Sequence, residues 1–140
     1  MRKILILTCG ILMMSSVAMA EGETTVETCA GGGGTLVTGK SGYKYCKSNK
    51  PMNWWNAYAW CDAMGKRMID LNKDCGCNGT VKCEGYCPEI GNTSTERHFA
   101  WTTRSDNAES MTSVLMNNYN GLFNRWVRRD KVGDIYALCK

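Results

Sequence analysis

Eight cysteines remain in this chain once an N-terminal export segment is set aside. An even set of that size in an exported chain of about 120 residues dictates a disulfide framework before any other feature is weighed. The export segment is residues 1–20. Arg2 and Lys3 give it a positive start, residues 4–14 are almost wholly apolar, and Ala18-Met19-Ala20 is a small-x-small cleavage signal. Its apolar run is shorter than the ~20 residues that cross a bilayer. Ile6-Leu7-Thr8 is a poor lead-in to a lipid anchor on Cys9, so that cysteine leaves with the signal. The pattern looks bacterial and places the mature chain outside the cytoplasm: secreted, periplasmic or at the cell surface, after cleavage near Ala20. Stable membrane insertion is not expected.

The eight are Cys29, Cys46, Cys61, Cys75, Cys77, Cys83, Cys87 and Cys139, and they read as four disulfides. Zinc is the competing use, because Cys75-x-Cys77 and Cys83-x3-Cys87 look like ligand pairs. Their spacings miss the usual C-x2-C form and the compartment is oxidising, so no metal and no cofactor are expected. The formal charge falls from +4 to +2 when Arg2 and Lys3 are removed. That is too little to argue for a nucleic-acid partner.

The chain is organised around residues 52–71, whose main part reads as one amphipathic helix. Asn53 is its N-cap. Trp54, Ala57, Cys61 and Met64 recur at helical spacing, and Trp60 widens the stripe. Gly65 sits where a left-handed terminal residue is needed, and Lys66 and Arg67 follow at the negative end of the helix dipole. Met68, Ile69 and Leu71 then read as a short extended run returning to the core. A cysteine on the buried helix face needs a partner, and Cys139 is the best candidate.

Residues 21–28 are polar and read as a flexible lead. Cys29 opens a glycine run, Gly31 to Gly34, which lacks the helix and Lys-Ser/Thr of a phosphate loop and reads as a flexible turn. Residues 35–37 and 43–46 read as two strands joined through residues 39–42, a hairpin that a Cys29–Cys46 bridge would staple. Residues 72–92 form a Cys-rich loop. Its bridges are either nested (Cys75–Cys87 with Cys77–Cys83) or crossed (Cys75–Cys83 with Cys77–Cys87). From residue 99 onward the chain reads as strands: 99–103, 113–119, 122–129 and 135–139. Asn120-Gly121 is a strong hairpin signal. Leu122, Asn124, Trp126 and Arg128 fall on one face of the returning strand, and Ile135, Ala137 and Cys139 share the inward face of the last.

These residues resemble a known family. Trp54-x2-Ala57-x2-Trp60-Cys61-x3-Gly65, followed by Arg67-Met68 and Leu71, is similar to the first helix and following strand of C-type lectin-like domains. Tyr136-Ala137-Leu138-Cys139 resembles their last strand, and Trp101-Thr102 their central strand. The part from Trp101 onward also resembles the C-terminal domain of bacterial collagen-like adhesins. The resemblance covers about residues 29–140 and implies an α+β, disulfide-stapled C-type-lectin-like fold, one main helix packed on small antiparallel sheets. It implies a helix-to-terminus disulfide and an extra N-terminal pair at Cys29 and Cys46. The family's calcium and sugar motifs, Glu-Pro-Asn or Gln-Pro-Asp and Trp-Asn-Asp, have no counterpart here, nor does its inner cysteine pair.

Catalytic groups are hard to assemble. His98 is the single histidine and reads as structural beside Phe99. Every mature cysteine is committed to a disulfide, and Asp62, Asp70 and Asp74 read as solvated. The expectation is therefore a secreted, non-enzymatic recognition or adhesion module that binds a glycan or a cell-surface or matrix protein without calcium. The candidate ligand residues are Asn117, Asn118, Tyr119, Asn124, Trp126, Arg128 and Arg129: amides and guanidinium forks for polar groups, rings for apolar faces. Arg125, Arg128, Arg129 and Lys131 favour an acidic ligand such as a sulfated or uronic polysaccharide. The alternative is a structural subunit of a surface appendage or envelope assembly, and a small exported hydrolase ranks behind both. A persistent oligomer marks the appendage, a monomer with a saturable ligand the binder.

Overall fold

The computed structural model describes residues 24–76, 85–105 and 107–140, with the backbone alone at 124–126. The predicted export segment, Cys77 and Cys83 lie outside the described residues. The elements in order are α1 (Val26–Gly31), β1 (Gly34–Thr38), β2 (Lys44–Ser48), α2 (Trp54–Ala63), α3 (Leu71–Asp74), β3 (Phe99–Ser105), β4 (Ser110–Leu115), β5 (Phe123–Arg128), β6 (Ile135–Tyr136) and β7 (Leu138–Cys139). The class is α+β with two small sheets and, among the described residues, three disulfides, Cys29–Cys46, Cys61–Cys139 and Cys75–Cys87. Among the described residues no helix is long and apolar enough to cross a membrane.

One sheet runs β1-β2-β7 and the other β5-β4-β3-β6, with β3 and β6 parallel and every other pair antiparallel. β6 and β7 are consecutive, so the end of the chain belongs first to one sheet and then to the other. Cys46 faces Cys139 across β2 and β7, which brings the Cys29 and Cys61 bridges together in the core.

Strand alternation sorts the apolar side chains into two clusters. Ala57, Cys61, Met68, Trp101, Met111, Val127, Ile135, Ala137 and Cys139 pack under α2, while Tyr45, Ile69, Leu71, Ile90, Ala100, Val114 and Leu138 pack beneath the 85–94 loop. The central strand β4 is therefore covered on both faces, with every residue buried. Three indole N–H groups pin chain segments to this core. Trp101 donates to Met52 O at 2.7 Å, Trp54 to Thr102 O at 3.0 Å and Trp60 to Gly32 O at 2.6 Å.

α2 forms where the pattern placed a helix. The Asn53 side chain accepts from Asn56 N, Ala57 and Cys61 are buried, and Gly65 takes φ +65° just beyond the end. Several expectations are corrected. Residues 26–28 are not a flexible lead but the start of α1, capped by Thr25 and fixed by buried Cys29. The glycine run does turn the chain from α1 into β1, but it is packed closely at two positions. A Cβ on Gly34 would sit 2.8 Å from Cys46 Sγ, and one on Gly32 would meet Met64 Sδ. Leu71 leaves the extended run to start α3, and Met68 alone makes a bridge, to Cys139.

Asn120-Gly121 does not close a two-residue turn, because Leu115 pairs with Leu122 across six residues. The Asn118 side chain organises that turn by accepting from the amides of Asn120 (2.9 Å) and Gly121. Gly121, at φ +58°, lies against Cys87 O, where a Cβ has no room. The single-face reading of Leu122, Asn124, Trp126 and Arg128 includes two side chains outside the described residues, and the backbone register of β5 is not regular. Ser113 faces Asn124 but Met111 faces Val127, so a bulge interrupts the alternation between them. The Cys75–Cys87 bridge rules out the crossed alternative.

Candidate functional site

α2 buries Ala57 and Cys61 and turns Trp55 and Tyr58 outward, three positions apart on the opposite face. They are 55 % and 51 % exposed, an unusual place for two large rings on a helix whose other aromatics pack inward. Half-buried Trp54 supports them, stacked on Tyr58 at 5.5 Å between ring centres and edge-on to Trp55 at 4.8 Å. The Arg129 guanidinium lies 5.0 Å from the Trp54 ring and 5.1 Å from the Trp55 ring. Arg129 is held there from both sides. Its carbonyl accepts from Trp54 N at 2.8 Å, and its Nη2 donates to Ser105 Oγ at 3.1 Å. Its Nε is buried without a hydrogen-bond partner among the described residues. The result is an aromatic shelf with a guanidinium at its edge, a surface suited to stacking on a flat, partly apolar ligand.

Sequence reasoning missed Trp55 and Tyr58 because it followed the buried stripe of the helix. The available signal was the reverse one: large aromatics at positions that the stripe leaves facing water.

The predicted ligand residues do not form one surface. Asn117, Asn118 and Tyr119 lie in the turn between β4 and β5, where Tyr119 is 81 % exposed and Asn118 is engaged in holding the turn. Arg128 and Arg129 lie at the other end of the hairpin, opposite Ser110, about 20 Å away at ~3.3 Å per strand residue. Exposed Arg128 pairs with Asp130 at 3.0 Å. Asn124 and Trp126 are in β5, and their side chains lie outside the described residues. Among the described side chains of this set, Arg129 alone joins the shelf.

Asp74 is not solvated, as the sequence reading expected, but is the centre of an ion network. Its buried carboxylate receives Arg67 through two bonds (2.6 and 2.7 Å), Lys140 Nζ at 3.1 Å and Asp70 N at 2.8 Å. Burial pushes its pKa up, but the donors from Arg67, Asp70 and Lys140 outweigh burial and hold it below the ordinary 3.8. A carboxyl depressed by folding stabilises the fold above its unfolded pKa. That contribution is lost as pH falls through the lower, folded value. Urea denaturation between pH 6 and pH 2 is thus expected to show a flat unfolding free energy near neutrality and a decline that begins below about pH 4.

His98 bonds Ser94 Oγ (3.3 Å) and Glu96 (3.0 Å), its ring 4.2 Å from that of Tyr136. Burial, then the Lys47 charge, push its pKa below the ordinary 6.5. Ser94 Oγ also accepts from Glu96 N at 3.2 Å, so these groups brace one short loop.

No protein-family model, curated protein or solved structure matches this chain.

Proposed function

We propose that the protein is a secreted, non-catalytic recognition module that binds a glycan on the outer face of α2 without calcium. The observation that carries this reading is the shelf: two half-exposed rings, Trp55 and Tyr58, backed by Trp54 and edged by Arg129. Sugar rings present flat C–H faces that stack on aromatic surfaces, and their hydroxyls accept from guanidinium donors. Ala57 and Cys61 anchor the other side of the helix to a disulfide, so the shelf is preorganised and little is lost in ordering it on binding. The C-type-lectin-like reading of the fold is supported by the helix-to-terminus disulfide, the paired hairpin and last strand, and the N-terminal Cys29–Cys46 bridge. Recognition without calcium follows from the missing calcium motifs of that family.

The test is a glycan-array screen of the oxidised mature protein with and without EDTA. Saturable binding that EDTA leaves unchanged is expected. Trp55→Ala and Tyr58→Ala should each weaken it about tenfold or more, a loss of ~1.4 kcal/mol per tenfold. Both are surface changes, so melting temperatures should stay close to wild type. A blank array, with capture of a protein ligand instead, would overturn the glycan reading.

A further inference from the structure

α2 ends in a groove of about 820 Å³ lined by Lys44, Lys66, Arg67 and Lys140, with Tyr43 and Ser41 beside them. Asp62 also lines it, and Asp74 lies buried behind it, so among the described side chains four cations stand with two carboxylates. None of these cations waves free in solvent. Asp74 orients Arg67 and Lys140, and the Lys140 ammonium lies 3.6 Å over the Tyr43 ring. Lys44 is held by Thr38 Oγ1 at 2.9 Å. A preset group of cations in a concave surface pays little ordering cost on meeting an anion, and the concavity concentrates its field.

Helix spacing puts the groove and the shelf on one side of α2. Trp55, Tyr58 and Asp62 stand at i, i+3 and i+7, one stripe of the helix, so the rings and the mouth of the groove are about 10 Å apart at 1.5 Å per residue. We infer that the groove is an anion subsite that takes a carboxylate or sulfate of an acidic polysaccharide lying along α2. The inference rests on the glycan reading above and adds its substrate class. It also moves the acidic-ligand surface from the set Arg125, Arg128, Arg129 and Lys131, where the sequence suggested it, to the C-terminal end of α2, with Arg129 kept at the edge of the shelf.

The test uses the oxidised mature protein and four probes in calorimetric titrations: oligogalacturonate, sulfated dextran oligosaccharide, neutral dextran oligosaccharide and polyglutamate. The variant is Lys44→Glu/Lys66→Glu, which leaves Arg67, Asp74 and Lys140 in place, and its melting temperature is measured beside wild type to show that it folds. At least one acidic saccharide should bind tenfold or more tightly than neutral dextran, with affinity falling as salt rises. Carboxylate and sulfate are separated by which of the two saccharides it is. The double variant should lose that tenfold and most of the salt dependence. Acidic binding that the double variant leaves intact, but Trp55→Ala abolishes, would overturn the groove and spare the shelf. The opposite pattern would overturn the shelf. Polyglutamate bound as tightly as either acidic saccharide would overturn the polysaccharide assignment, and no binding to any probe would overturn both.

Discussion

Replacing Cys61 with serine is expected to lower the unfolding free energy by about 2–5 kcal/mol, the usual cost of losing a native disulfide from a small exported domain. The bridge to Cys139 closes a loop of 78 positions. Chain entropy assigns a loop of that length roughly 4.5 kcal/mol, against about 2.8 kcal/mol for the 12 positions closed by Cys75–Cys87. The bridge is also fully buried, linking α2 to β7 of the β1-β2-β7 sheet, so its loss loosens the layer on which the shelf is mounted. Urea denaturation without reductant should rank Cys75→Ser well above Cys61→Ser in midpoint. Equal midpoints would contradict the role given to the longer bridge.

Arg67→Ala should lower the unfolding free energy by about 2–4 kcal/mol, because it leaves a buried carboxylate short of its main partner. The figure is held toward the low side because the Arg67 side chain is 38 % exposed and Lys140 remains paired to Asp74. Arg67→Lys should lose part of this, since an ammonium keeps the charge but not the two-pronged fork. The diagnostic readout is acid sensitivity. Without Arg67 the Asp74 pKa rises, and the decline in stability should begin at higher pH than in wild type. A variant with wild-type stability and an unchanged acid profile would mean that the network does not contribute.

Much of the framework was legible because cysteine pairing, helix capping and strand alternation are local or one-dimensional signals. Asn53, Cys61 and Gly65 mark the helix, and Ile135, Ala137 and Cys139 mark the inward face of the last strand, where all three are buried. What escaped was set by tertiary approach. Nothing local distinguishes the six-residue turn held by Asn118 from a tight Asn-Gly hairpin until Gly121 is seen against Cys87. Asp74 reads as another loop carboxylate, because its partners are 7 and 66 positions away. The candidate ligand residues were adjacent in sequence, yet a hairpin sends its turn and its open end to opposite ends of the sheet. The shelf was hidden for the opposite reason. Its members, Trp54, Trp55, Tyr58 and Arg129, come from two distant segments joined at the N-terminus of the helix.

The most direct measurement of the central claim is a titration of the ¹⁵N-labelled protein followed at its five tryptophan indole signals, using the tightest glycan found on the array. Trp54, Trp60 and Trp101 each donate their indole N–H to a backbone carbonyl, whereas Trp55 stands on the exposed shelf. Binding on the outer face of α2 predicts that the Trp55 indole and the Tyr58 and Arg129 amides shift with saturation, while Trp60 and Trp101 stay in place. Shifts confined to residues 117–119 at the β4–β5 turn, with Trp55 unmoved, would contradict it.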